Sequence, residues 1–500
     1  MPYDMYMVSA TGEMNMSRYN MTLLTDLYEL TMMQGYFKSG TNEKVVFDVF
    51  YRKNPSGSAY AITAGLQQVI EYIKELKFLK EDIEYLESTG LFGSDFLEYL
   101  EHFKFSGDIY AIPEGTVVFP KEPLLKVIAP IMEAQLIETA ILNVINHQSL
   151  IATKASRVVY AAGGGVMEFG LRRAQGPDAG VYGARAAMIG GCVGTSNVLA
   201  GKMFDIPVKG THAHSWIMSF KTELEAFRTY ARLYPDNCLL LVDTYDTLKS
   251  GVPHAIQVFD ELKASGIHPK MYGIRLDSGD LAYLTKKARK MLDAAGHTDA
   301  VISASSDLDE YVIESLQRQG AKITSWGVGT NMITAADCPA FGGVYKLAAI
   351  TDEEGNFIPK IKVSENVEKV TNPGNKTVFR LYDSENGKIK ADLIALADEV
   401  YTPDKPLMIF DQTATWKKTY LKENTYTVRE LLVPIFINGE CVYQSPTVME
   451  IRDYCFKELE TLWDESRRFV NPQEVYVDLS KPLWILKHDL LDGVHNFHDR

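Results

Sequence analysis

The sequence predicts an α/β protein organised around a closed or nearly closed (β/α) barrel. Between residues 165 and 350, short β-rich runs alternate with helical segments, and roughly eight such units are what a barrel requires. The gaps are long enough for the crossovers of a dozen or more residues that parallel strands need. The regions before and after this stretch have a different texture, with hairpin turns and few regular alternations. At 500 residues, 46% hydrophobic and 23% charged, the chain can bury a large core, which excludes a disordered or fibrous protein.

Taken in order, residues 1–16 carry little pattern and read as a loosely held tail. Leu23, Leu27, Leu30 and Met33 follow helical spacing and predict a helix over 22–38. The dense Val, Phe and Tyr run at 44–52 reads as a strand. Helical patterns follow at 64–76 and on through 99, then short strands punctuated by Pro and Gly over 107–128. An apolar helical stretch, 133–162, leads into the barrel. Its strands are expected at 166–169, 191–194, 207–209, 239–243, 271–276, 300–304, 322–326 and 344–350, with amphipathic helices at 280–292 and 307–319. After 350, Asn386-Gly387 and Asn438-Gly439 signal hairpins, and a helix over 447–469 closes the chain. The expected organisation is a tail (1–16), an N-terminal α+β domain (17–132), the barrel (133–350), and a C-terminal region (351–500) packing with the N-terminal domain.

Charge and cysteine usage narrow the function. A net charge of -14 opposes non-specific nucleic-acid binding, which needs a cationic face. No apolar run reaches about 18 residues, so no membrane span is expected. The start lacks a basic region followed by an apolar one, unlike a secretion signal. The five cysteines have no metal-type spacing and read as reduced thiols of a cytoplasmic protein.

Barrel ligands are held by the loops at the carboxyl ends of the strands. Those loops here read Gly170-Leu171-Arg172-Arg173, Thr195-Ser196-Asn197, Gly210 through Trp216, Asp243-Thr244-Tyr245-Asp246, Asp277-Ser278-Gly279-Asp280, Ser305-Ser306-Asp307 and Gly327 through Asn331. Gly, Ser and Asp often end strands merely to turn and cap a helix. Seven such loops in register are too many for capping alone. Gly327 and Gly329, followed by Thr330, would let backbone N–H groups cradle a phosphate. Arg275 can bind phosphate bidentately, whereas Asp277 and Asp280 suit ribose hydroxyls or hydrated Mg²⁺, with an N-cap as the plainer role for the acidic loop. His212 and His214 share one loop; either could be a structural hydrogen-bonder or a nucleophile accepting a phosphoryl group. Phe169 is either core or a stacking surface beside Arg172 for a flat anionic ring.

Five segments carry a resemblance: Arg18-Tyr19-Asn20 with Thr25-Asp26-Leu27-Tyr28; Glu168 through Ala174; Gly210-Thr211-His212-Ala213-His214-Ser215-Trp216; Gly273 through Leu281; and Gly327-Val328-Gly329-Thr330. In this order they resemble the nicotinate phosphoribosyltransferases, from about Ser17 onward. The resemblance implies an irregular (β/α) barrel of the type II phosphoribosyltransferase kind, beside a second α+β domain built from both chain ends. It implies that nicotinate displaces pyrophosphate from phosphoribosyl pyrophosphate (PRPP), forming nicotinate mononucleotide in NAD salvage. ATP hydrolysis is coupled through a phosphohistidine at His214, with Mg²⁺ as cofactor. By position, Arg275 and Asp277 join His214 in catalysis, with Asp277 on the Mg²⁺. Tyr19, Phe169, Arg172, Ser196 and Thr211 fall in the nicotinate pocket, Tyr19 coming from the partner of a homodimer with shared active sites. Asp243, Ser278, Gly279, Asp280, Ser306, Gly327, Gly329 and Thr330 fall around PRPP and its phosphates.

Neutral Ser196 stands where the related nicotinamide enzyme carries an Asp, so a carboxylate substrate is favoured. The other readings are a nicotinamide transferase, a non-PRPP sugar-phosphate barrel enzyme such as an aldolase using Lys209 as its Schiff-base lysine, and a nucleotide-binding protein without turnover.

Overall fold

The computed structural model describes residues 20–366, 369–414 and 416–498. The predicted tail and Tyr19 lie outside the described residues. The chain forms two compact units, Ile151–Pro339 and the combination of Met1–Leu150 with Ala340–Arg500.

The second of these is built from both chain ends. A seven-stranded sheet pairs Lys44–Tyr51 with Leu125–Pro130 on one side and Gly343–Thr351 on the other. Val433–Ile437 extends it by pairing with Asp108–Ala111. A six-stranded sheet contains the Lys376–Asp383 and Ile389–Leu396 hairpin. Both hairpin signals hold: Gly387 takes φ 71°, and Asn438 and Gly439 take φ 50° and 78°, the positive angles a tight turn needs. The expected closing helix is two, Val448–Glu460 and Asp464–Arg467, the first started by a Thr447–Glu450 capping box.

The expected barrel boundary is overturned. The run at 344–350 was assigned to the barrel, but Gly343–Thr351 is antiparallel to Lys44–Tyr51 in the other unit. The barrel unit therefore spans Ile151–Pro339 instead of 133–350.

The barrel unit holds five parallel strands in the order Val166–Glu168, Ser325–Val328, Val301–Ser306, Met271–Leu276, Asn237–Leu241. Two further expected strands, at 191–194 and 207–209, shrink to single parallel bridges, Glu168 to Thr195 and Thr195 to Val208. Glycine-rich residues 190–194 offer few side chains to pack, so no full ladder forms there. Seven segments thus follow one another around a ring in chain order. Between Val208 and the Asn237–Leu241 strand, among the described residues, side chains close the ring. Thr211 Oγ1 donates to Leu239 O at 2.7 Å, and Leu241 N–H donates to His212 Nε2 at 3.4 Å.

Candidate active site

The carboxyl ends of the ring strands bring most of the expected residues together. Arg275 is the next-to-last residue of Met271–Leu276, and its side chain is 15% exposed. Its Nε donates to Ser305 Oγ at 2.8 Å and its Nη2 to Asp277 Oδ1 at 3.2 Å. Ser305 also donates to Asp277 Oδ1. The guanidinium lies 5.8 Å from the centre of the Phe169 ring. A cation held on three sides in this way is preorganised, with little freedom left to lose on meeting an anion.

Asp243 connects this group to His214. Its side chain is only 2% exposed. Oδ2 accepts from the Asp277 N–H at 2.7 Å and from Ser278 Oγ at 2.8 Å, while Oδ1 lies 3.0 Å from His214 Nε2. A carboxylate can only accept, so Nε2 donates in this contact and Nδ1 is the ring nitrogen turned away from it. His214 opens the short helix His214–Met218 and is 39% exposed. Its loop neighbour differs in kind: burial pushes the His212 pKa down to about 4, and its ring packs 4.6 Å from Tyr230. His212 is a neutral closure piece, and His214 faces outward. The residue types and spacing left the two open, and only the family resemblance singled out His214.

Phe169 lies against the next strand, where Gly327 makes room for it. A methyl group at 327 would come within 2.6 Å of the ring. That steric duty stands beside the phosphate cradle expected of Gly327. Gly329 sits under the Phe169 carbonyl, and Thr330 starts the short helix Thr330–Ile333. Asn331 Nδ2 lies 3.3 Å from both Asp307 O and Leu308 O, tying this loop to the one after Ser306. Ser306 is exposed, with φ 154°, a strained angle at a strand end. Arg172 and Arg173 are exposed on the Leu171–Arg173 turn, and Ser196 is half-buried, its N–H donating to Glu168 O.

Four expected ligands have structural work. Asp280 caps the helix Leu281–Ala294 by accepting from the Tyr283 N–H at 2.9 Å, and Gly279 makes the turn before it at φ 79°. The Thr211 hydroxyl closes the ring. Asp243 is enclosed, so it orients His214 in place of facing an open site. Lys209, which a Schiff-base enzyme would bury, is exposed. Sequence reasoning missed Ser305, Thr195 and Glu168. For Glu168 there was a signal: a carboxylate inside an apolar strand run. The other unit carries a polar cavity of about 750 Å³, lined by Arg52, Lys53, Lys121, Lys417, Asp411 and Asp478, to which the sequence reading assigned nothing.

Residues 23–146, 165–375 and 375–487 match, in turn, the nicotinate phosphoribosyltransferase (NAPRTase) N-terminal domain, the NAPRTase family and its C-terminal domain. The Bacillus subtilis nicotinate phosphoribosyltransferase is 48% identical over 483 residues, 96% of each chain. This chain belongs to the nicotinate phosphoribosyltransferase family. Homo sapiens nicotinate phosphoribosyltransferase is 32% identical over 531 residues, covering 94% of this chain and 97% of that one. Among solved structures, human nicotinic acid phosphoribosyltransferase superposes with a TM-score of 0.80 at 29% identity, covering 94% of this chain and all of the other. Nicotinate-nucleotide pyrophosphorylase from Pyrococcus furiosus follows at TM-score 0.66 and 25% identity, covering 88% and 96%. The phosphoribosyltransferase fold, an irregular (β/α) barrel with a second α+β domain from both chain ends, is the fold of this family member. No helix among the described residues is long and apolar enough to cross a membrane.

Proposed function

We propose that this enzyme transfers the phosphoribosyl group of PRPP to nicotinate, and that phosphorylation of His214 by ATP couples to that transfer. The observation that carries the reading is the continuous hydrogen-bonded path from His214 through Asp243 to Asp277, Ser305 and Arg275. It joins a nucleophile for phosphoryl transfer to a fixed cation within one loop cluster.

In the coupled step, His214 Nδ1 attacks the γ-phosphorus of ATP and ADP departs. Asp243 supports this by holding the proton on Nε2. Water later cleaves the N–P bond and releases phosphate. In the transfer, the pyridine nitrogen bonds to C1 of the ribose while the C1–O bond breaks, its electron pair leaving with pyrophosphate. Arg275 stabilises the departing charge, an effect worth about 3–4 kcal/mol for a preorganised donor. Phe169 offers a stacking face, and Arg172, exposed on the turn that follows, is the cation assigned to the substrate carboxylate. Tyr19 of a partner chain would complete that pocket in a homodimer. Ser196 repels no carboxylate, which favours nicotinate over nicotinamide.

For Mg²⁺, among the described residues no group of three His, Cys, Asp or Glu could hold a metal. That donor set fits an ion arriving with the pyrophosphate, since Mg²⁺ commonly keeps its waters and takes one or two protein carboxylates. Asp277 is the carboxylate available to it, and the ion would neutralise phosphate charge. Ser278, Gly279, Ser306 and the Gly327–Thr330 segment are the residues assigned to the ribose and phosphates.

The test is nicotinate mononucleotide formation from nicotinate, PRPP and Mg²⁺, with and without ATP, for wild type and His214→Ala. ATP should accelerate only the wild type. Preference for nicotinamide would overturn the pocket assignment, and no reaction with either base would overturn the reading.

A further inference from the structure

Glu168 is 0% exposed and nothing in the reaction above uses it. Among the described residues it forms no ion pair, and burial raises its pKa. A buried carboxyl without a cation persists only where donors converge on it. Two do. The Gly170 N–H donates to Oε1, and Thr195 Oγ1 donates to Oε2 at 2.6 Å. Thr195 Oγ1 in turn accepts from the Asn197 N–H at 3.0 Å. The Glu168 carbonyl accepts from the Ser196 N–H at 2.9 Å. At Gly170, a methyl group would come within 2.9 Å of Oε1 and 2.5 Å of Ile333, so the turn is drawn tight over the carboxyl.

These contacts reach both segments assigned above to the nicotinate pocket. Gly170 starts the turn that carries Arg172, while Thr195 and Asn197 bracket Ser196. The Val166–Glu168 strand meets the 193–196 segment through one isolated bridge and three backbone hydrogen bonds, and the Glu168 carboxyl adds the side-chain link that joins Thr195 to the 170–173 turn. We propose that Glu168 is a positioning residue for the pyridine-carboxylate pocket, holding the 170–173 turn and Ser196 in one fixed register. This rests on the reading that the pocket takes nicotinate. A carboxylate suits the place because both oxygens must accept. A glutamine offers one acceptor and one donor, so at least one of the two bonds weakens.

The experiment is steady-state kinetics on the full chain, varying nicotinate, nicotinamide and PRPP separately. Glu168→Ala opens a void and risks misfolding, so the informative variants are Glu168→Gln and Thr195→Val, with Thr195→Ser retaining the hydroxyl. Glu168→Gln and Thr195→Val should each raise the nicotinate KM about tenfold and lower the nicotinate-to-nicotinamide kcat/KM ratio, with the PRPP KM within roughly twofold of wild type. Thr195→Ser should restore the wild-type nicotinate KM and ratio. If Glu168→Gln and Thr195→Val lose melting temperature and kcat while the nicotinate KM and the ratio stay put, Glu168 only supports the fold and the inference fails. A wild type that converts no nicotinate overturns the functional reading, and this inference with it.

Discussion

Around the barrel ring, one arc runs from the Asn237–Leu241 strand through Met271–Leu276, Val301–Ser306 and Ser325–Val328 to Val166–Glu168 on continuous backbone ladders. The other, looser arc, from Thr195 to His212, is held by two isolated bridges with five backbone hydrogen bonds around them and, at its far end, by two side-chain hydrogen bonds. The ladder arc holds Arg275, Asp277 and Ser305 rigidly, where a fixed charge is useful. The looser arc carries Ser196 and leads into His214, the residues proposed above for substrate discrimination and for phosphoryl exchange.

The largest effect should come where the two arcs meet. Asp243→Asn replaces the acceptor facing His214 with an amide that can offer a donor, releasing the proton from Nε2. Transfer of radiolabelled γ-phosphate to the protein should fall by about 10²-fold or more. Undiminished labelling would separate Asp243 from the coupled step. A smaller effect is expected inside the loose arc: Ser196→Asp sets a carboxylate against the substrate's own and should lower kcat/KM for nicotinate about tenfold. An unchanged value would remove Ser196 from the pocket.

The third effect concerns stability instead of activity. Folded His212 titrates near 4, against about 6.5 when unfolded, so between those values the unfolded chain binds the extra proton. Stability from this site is complete above pH 6.5 and declines as the pH falls toward 4, by up to roughly 3 kcal/mol. Urea denaturation followed across that window should be steeper in pH for wild type than for His212→Gln. Parallel curves would mean that the closure contributes nothing.

Much of the ladder arc was legible because its strands are continuous apolar runs followed by polar loop residues. The loose arc was not, since residues 191–194 and 207–209 look β-like by composition while their pairing depends on neighbours distant in sequence. The 344–350 run failed for the same reason: a β-rich stretch does not reveal whether its partner is parallel or antiparallel, or which unit owns it. At the site, residue types were visible but facing directions were not. Asp243 and Asp277 look alike as letters, yet one is enclosed and the other is a third exposed. The same blindness hid Glu168, whose partners Gly170 and Thr195 converge on it only in three dimensions.

The two oxygens of Asp243 also make it a balance beam. One oxygen faces the imidazole; the other carries the Asp277 amide and the Ser278 hydroxyl. Electron density drawn toward one end is withdrawn from the other. A positive charge on the ring would tighten the first contact and slacken the grip on the loop, while a neutral ring would let the grip recover. The protein thereby possesses a tensioner, about one side chain long, between the imidazole of His214 and the loop at 277–278.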